Sequence, residues 1–229
     1  LKDAQILHFS PSRHFPSGLV TGVGRRMELL EWAAAQPNRF IIEDDYDSEF
    51  RFDAHPMPTM KSLDRDGNVI YMNTFSKTLA PSIRISYLAL PGALMEQFRE
   101  RLGFYSCTVP SFEQYTLARF LSRGHFEKHI NRMRKAYRTT RNRVVEVLHN
   151  CPFGSKITIL EQNAGLHFIV KVDTGLSDRE LAEKCAQAGI RIRALSDYYH
   201  TPAGQDLHCL VVNYTALQED RLEEIIQSL

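Results

Sequence analysis

The chain has 229 residues, of which 43% are hydrophobic and 24% charged, and its formal net charge is +1. This balance excludes a disordered or low-complexity chain and allows one large domain or two small ones, each with its own core. A charge so close to zero gives no global drive towards nucleic acid or acidic lipid, so any such contact has to be local.

No apolar run reaches the roughly 18 residues needed to span a bilayer, and Leu1-Lys2-Asp3-Ala4 has no signal-peptide pattern. A cytoplasmic protein without membrane contact is expected. Cys107, Cys151, Cys185 and Cys209 show neither CxxC pairing nor Cys/His ligand spacing, which points to four buried free thiols and no metal site. Because Leu1 leads almost at once into a strand-like run, the chain reads as a piece of a longer protein.

Residues 5–9 form a short strand candidate, closed by a turn-rich stretch from Ser10 to Gly18 that presents Arg13 and His14. Between about residues 21 and 36, Val23, Met27, Leu30 and Ala34 recur at helical spacing, and Pro37-Asn38 ends the helix. An apolar strand at 39–42 then runs into Glu43-Asp44-Asp45-Tyr46-Asp47-Ser48-Glu49. Strand, helix, strand in that order predicts a right-handed crossover and a parallel sheet buried on both faces. Two more apolar runs follow at 69–72 and 85–90.

Helices are predicted at 93–102 and 111–122, separated by Gly103 and Pro110. A longer one at 125–149 aligns Phe126, Ile130, Met133, Tyr137, Val144 and Leu148 on one face. Its other faces carry Lys128, Arg132, Arg134, Lys135, Arg138, Arg141 and Arg143, which read as a solvated or partner-facing surface ahead of a nucleic-acid face. Cys151-Pro152-Phe153-Gly154 breaks the pattern and divides the chain into domains 1–150 and 151–229. Beyond it come strands at 157–160 and 166–172, then a helix with a Ser177/Glu180 capping box that stops at Gly189. Strands at 190–195 and 208–212 and a terminal helix carrying Leu222, Ile225, Ile226 and Leu229 complete a small α/β domain with a mostly antiparallel sheet.

Chemistry concentrates at two strand ends. Asp44 and Tyr46 supply a carboxylate and a phenol after one strand; Thr74, Ser76 and Lys77 supply two hydroxyls and an amine after another, and Arg84 follows. Ligands of open parallel sheets gather beyond the carboxyl ends of strands, so the two stretches are expected to face one cleft. A lysine there, its charge disfavoured by burial and nearby cations, can form an imine with a carbonyl; otherwise Lys77 only marks the strand end and points into water. Together the groups suit an aldehyde cofactor with a pyridine nitrogen, a ring hydroxyl and a phosphate.

Residues 41–52 and 73–87 resemble the fold-type I pyridoxal-phosphate aminotransferases, and more closely the MocR subfamily of GntR-type bacterial transcription regulators; the likeness extends to 11–18, 165–168 and the tail. The resemblance implies an α/β fold: part of the large fold-type I transferase domain with a mostly parallel sheet, and a small C-terminal α/β domain. It also implies pyridoxal 5'-phosphate on an internal aldimine through Lys77. Asp44 would meet the pyridine nitrogen and Tyr46 the ring oxygen, unless Tyr46 only packs, while Thr74, Ser76 and Arg84 would contact phosphate. Glu43 becomes a supporting partner, and Asp45 and Asp47 hold the loop. The implied role is effector sensing, with a small amine or amino-acid-like ligand, a homodimer, and DNA bound only through an N-terminal domain.

The family's glycine-rich phosphate loop and ring-stacking aromatic would lie upstream of Leu1. Phe15-Pro16-Ser17-Gly18 stands where aminotransferases have Asn-Pro-Thr-Gly, and Ala216 aligns with their carboxylate-binding arginine, leaving Arg13, Arg191 or Arg193 to substitute. The regulator-like motif and the missing tail arginine favour sensing over a catalytically active aminotransferase, and a truncated dimerisation fragment without cofactor stands as a third reading.

Overall fold

The computed structural model of the protein describes residues 3–52, 57–160, 165–201, 206–215 and 217. They belong to two compact units, one within Leu1–His14, Leu19–Glu49 and His55–Asn131, the other within Phe15–Gly18, Phe50–Ala54 and Arg132–Leu229. The division falls inside the helix expected at 125–149, whereas the boundary expected after residue 150 lies at that helix's C-terminal end.

In the first unit the apolar runs become β1 (Ile6–Phe9), β2 (Phe40–Asp44), β3 (Val69–Thr74) and β4 (Ser86–Ala89), hydrogen-bonded in the order β1-β2-β3-β4. β1, β2 and β3 are parallel, as the crossover pattern predicts; β4 is antiparallel to β3. The reversal follows from chain length, since residues 75–85 are too few for a crossover of a dozen or more residues. Helices α1 (Val23–Ala34) and α2 (Met60–Leu63) join the parallel strands. Leu29, Leu30 and Ala33 of α1 and Met60 of α2 pack on Ile41 and Val69.

The expectation of a sheet buried on both faces is corrected. α1 and α2 cover one face; on the other, Ile42, Ile70 and Met72 are half-buried, and Ile6 and Leu88 are exposed. The strands advance in one direction, so two right-handed crossovers place both connecting helices on the same side.

Arg26 ties this unit together. Its fully buried guanidinium donates to the carbonyls of Thr21 (2.8 Å), Pro58 (2.9 Å) and Pro11 (2.9 Å), and lies 4.0 Å from the equally buried Glu43 carboxylate. Glu43 in turn accepts from the Met60 and Lys61 amides at 2.9 and 2.8 Å, occupying the otherwise orphaned donors that open α2. Burial raises the Glu43 pKa, and those two amide bonds oppose the shift.

Helices α3 (Phe75–Thr78), α4 (Gly92–Leu102), α5 (Ser111–Ser122) and α6 (His125–Asn150) follow, the last three within one residue of their predicted ranges. The expected solvated basic surface of α6 is corrected at Arg141, which is buried with its guanidinium 5.1 Å from the Phe52 ring centroid. Its apolar stem and planar head make such burial possible beside an aromatic face.

The second unit holds β5 (Ile157–Leu160), β6 (His167–Val172), β7 (Arg193–Ala194) and β8 (Cys209–Asn213) in the order β5-β6-β8-β7, every pairing antiparallel. Helix α7 (Asp178–Gln187) carries both halves of the predicted Ser177/Glu180 capping box. The core joins Val144 and Leu148 of α6 to Phe168, Val170, Cys185, Leu210 and Tyr214. The strand predicted at 190–195 shortens to Arg193–Ala194: residues 190–192 are irregular, and a 3-10 helix begins at Leu195.

All four cysteines are free, but only Cys185 and Cys209 are buried. Cys151 is half-buried, and Cys107 is exposed in the loop between α4 and α5, correcting the expectation of four buried thiols. Ala216 and the predicted terminal helix at 222–229 lie outside the described residues.

Removing Arg26 leaves Glu43 buried without its cation. Arg26→Met is expected to lower unfolding free energy by about 3–5 kcal/mol, measured by urea denaturation. In the second unit, burial acts to raise the Asp178 carboxyl, but hydrogen bonds from the Ser196 hydroxyl and the Leu207 and His208 amides outweigh it and hold the pKa below the ordinary 3.8. A depressed carboxyl stabilises the fold fully above its unfolded pKa, and that stability is lost as pH falls through the folded value. Asp178→Ala is therefore expected to lower the urea midpoint at neutral pH, with the gap to wild type narrowing below pH 3.8.

Candidate functional site

Strand register brings the two chemical stretches to one end of the first sheet. Asp44 of β2 pairs with Met72 of the parallel β3, and the Asp45 amide donates to the Met72 carbonyl at 3.0 Å. Thr74 ends β3 two residues further on, about 7 Å along the strand.

Thr74 then serves as N-cap of α3. Its hydroxyl accepts from the Ser76 amide at 3.1 Å and donates to the Ile85 carbonyl at 3.2 Å. A hydroxyl has one hydrogen, and here it is committed to Ile85, so the structure gives Thr74 the task of shaping the turn. Ser76 and Arg84 come together across that turn, with the Arg84 guanidinium 3.5 Å from the Ser76 hydroxyl oxygen. Arg84 holds φ at +49°, a left-handed conformation that a non-glycine residue adopts only where its surroundings impose it.

Lys77 lies in α3 with its side chain exposed, while its neighbour Thr78 is buried. Burial therefore does not single out the Lys77 amine in this chain, which corrects that part of the sequence argument. A single helical turn can bury one face only, and Thr78 occupies it. The turn is anchored from α6: His129 Nε2 lies 3.0 Å from the Thr78 carbonyl, and Phe126 meets the Phe75 ring edge-on at 5.8 Å.

Asp44 lies on the less covered face, its side chain 27% exposed, with Oδ2 3.3 Å from His8 Nε2. Glu43 points the other way, into the Arg26 cluster. Tyr46 donates its phenolic hydrogen to the Arg13 carbonyl at 3.3 Å. Burial, then the Asp47 carboxylate, pushes the Tyr46 pKa well above the phenol's ordinary value, so it remains a neutral donor at neutral pH.

Asp45 is a loop support, accepting from the Tyr71 hydroxyl at 2.9 Å and Ser48 at 2.8 Å. Asn73 extends this network, donating to the Tyr71 oxygen at 3.1 Å and to Glu49 at 3.3 Å. Of the arginines considered as carboxylate ligands, Arg13 is buried in the first unit; in the second, Arg191 is exposed and Arg193 lies 6.0 Å from the Tyr198 ring centroid. Phe15 belongs to the second unit, its ring 5.2 Å from both His167 and Tyr198.

Sequence reasoning missed His8, Arg26 and His129. A polar residue within an otherwise apolar strand was the signal for His8, and His129 sits on the helix face marked by Phe126 and Ile130.

Residues 6–229 match the family described as aminotransferase class I and II. The chain belongs to that family. This aminotransferase-family chain is 39% identical over 225 residues to the uncharacterized HTH-type transcriptional regulator YdeL of Bacillus subtilis, an alignment covering 98% of this chain and 48% of that protein. It is 32% identical to the probable rhizopine catabolism regulatory protein MocR of Rhizobium meliloti, covering 98% and 45%. Among solved structures, Pyrococcus horikoshii kynurenine aminotransferase matches with a TM-score of 0.84 at 26% identity, covering 98% of this chain and 55% of that one. The chain thus spans about half the length of the curated relatives it matches. The resemblance read from 41–52 and 73–87 and the fold-type I α/β architecture both agree with these findings.

The donor set of this aminotransferase-family site suits pyridoxal phosphate: an ionisable carboxylate for a pyridinium, a neutral phenol for a ring oxygen, a hydroxyl and guanidinium for phosphate, and an accessible amine. The α6 anchor yields a local prediction. His129→Ala is expected to speed hydrogen exchange of the Leu79 amide, which closes α3 on the Phe75 carbonyl, by about fivefold, the equivalent of one ordinary hydrogen bond.

Proposed function

We propose that this chain, part of the aminotransferase-like domain of a MocR-type bacterial regulator, holds pyridoxal 5'-phosphate at Lys77 and senses a small amine or amino-acid-like effector. The carrying observation is the parallel pairing of β2 and β3, which brings Asp44 and the Thr74–Lys77 turn to the same end of one sheet. The regulator reading draws support from 32–39% identity to HTH-type regulators over 98% of the chain, against 26% to the kynurenine aminotransferase.

When bound, the cofactor supplies an aldehyde that captures amines reversibly and a pyridine ring that accepts electron density. Lys77 presents the amine for attachment. Asp44 accepts a charge-assisted hydrogen bond from the protonated ring nitrogen. Ser76 and Arg84 grip the phosphate, with Thr74 fixing the turn that carries Ser76. Tyr46 offers its phenolic hydrogen to the ring oxygen in exchange for the Arg13 carbonyl. An effector changes the domain's conformation only by binding two states with different affinity. In this reading the protein is a cytoplasmic homodimer, and DNA binding belongs to the HTH part of the relatives' length that this chain does not cover.

Titration with pyridoxal phosphate is expected to give the visible absorbance of a lysine-bound cofactor, absent in Lys77→Ala; a wild-type protein without that band overturns the proposal. Arg84→Ala is expected to weaken cofactor affinity at least tenfold, as loss of a hydrogen bond to a charged group does. With an amino donor and a keto acid, a single stoichiometric spectral change marks a sensor, whereas repeated turnover marks a working aminotransferase.

A further inference from the structure

We infer that His8 is a positioning residue for Asp44, holding one carboxylate oxygen so that the other is presented to a cofactor's ring nitrogen. The inference rests on the reading of Asp44 given above. β1 and β2 are parallel, with His8 opposite Ile42. Cross-strand partners share a sheet face and so do residues two apart, which places His8 and Asp44 on the same side. Among the described residues, His8 is the one hydrogen-bond partner of the Asp44 carboxylate, at 3.3 Å to Oδ2.

The surroundings argue that this contact has a use beyond packing. The rest of β1 is Ile6, Leu7 and Phe9, so His8 is the strand's single polar side chain. Its side chain is 56% exposed and contributes no core volume. Asp44 accepts none of the bonds that fix its neighbours, the Met60 and Lys61 amides at Glu43 and the Ser48 and Tyr71 hydroxyls at Asp45. Without a donor at Oδ2, its carboxylate is free to rotate about its terminal torsion, which is broad for a short acid side chain. A neutral imidazole with hydrogen on Nε2 is enough to hold it, and a positioned carboxylate binds a pyridinium better than a mobile one because less side-chain freedom is lost.

The test measures pyridoxal phosphate affinity by absorbance titration for wild type, His8→Leu, His8→Gln, Asp44→Ala and the His8→Leu/Asp44→Ala double variant. His8→Leu is expected to weaken binding about fivefold, and His8→Gln, whose amide nitrogen can stand near Nε2, to restore it within about twofold. The effect of His8→Leu should vanish in the Asp44→Ala background and with a cofactor analogue in which CH replaces the pyridine nitrogen.

Wild-type affinity in His8→Leu overturns the inference. So does a loss that persists with the CH analogue or without Asp44, since packing alone would produce it. Failure of the wild type to bind, or full affinity in Asp44→Ala, instead removes the reading of Asp44 itself. Circular dichroism of His8→Leu, compared with the rescuing His8→Gln, separates a misfolded variant from a mispositioned carboxylate.

Discussion

The buried guanidinium of Arg26 is the constraint on which the first unit depends. A charge withdrawn from water is tolerated only when its donors are matched, and Arg26 matches its own with carbonyls from Pro11, Thr21 and Pro58. One side chain thereby fixes the loop after β1, the start of α1 and the approach to α2. Glu43 completes the arrangement from β2. Because consecutive strand residues face opposite sides, anchoring Glu43 inward obliges Asp44 to point outward.

The same division of labour runs through the rest of the site. Asp45, Tyr71, Asn73 and Glu49 form a polar network beside it, and burial together with the Asp45 charge keeps the Tyr71 phenol protonated. Asp44 beside Asp45, Ser76 and Lys77 after the Thr74 cap, and Arg84 across the turn lie one step away from that network. Buried polar groups thus fix the backbone from which the more exposed side chains project. The left-handed backbone at Arg84 fits this pattern, since a conformation costly for arginine aims its guanidinium at Ser76.

The sheet's uneven covering has a topological cause with a functional side. Three parallel strands advancing in one direction place α1 and α2 on one face. His8 and Asp44 occupy the other, less covered face, so the same crossovers that bury Ile41 and Val69 leave this carboxylate accessible. An HTH-type regulator and an aminotransferase, each about twice as long, both match over 98% of this chain.

By itself the sequence determined the family, the two chemical stretches, most helix and strand positions and the Ser177 capping box. Those features are written in local order: apolar periodicity, capping residues and a motif within fifteen consecutive residues. The tertiary structure alone decided the exposure of Lys77 and Cys107, the commitment of Thr74 to its turn and the burial of Arg141 against Phe52. It also decided which carboxylate of Glu43-Asp44-Asp45 meets His8, which meets Arg26 and which meets Tyr71. Each of these depends on register or packing between residues far apart in the chain, and a side chain's neighbours across a sheet are set by pairing that local pattern does not encode.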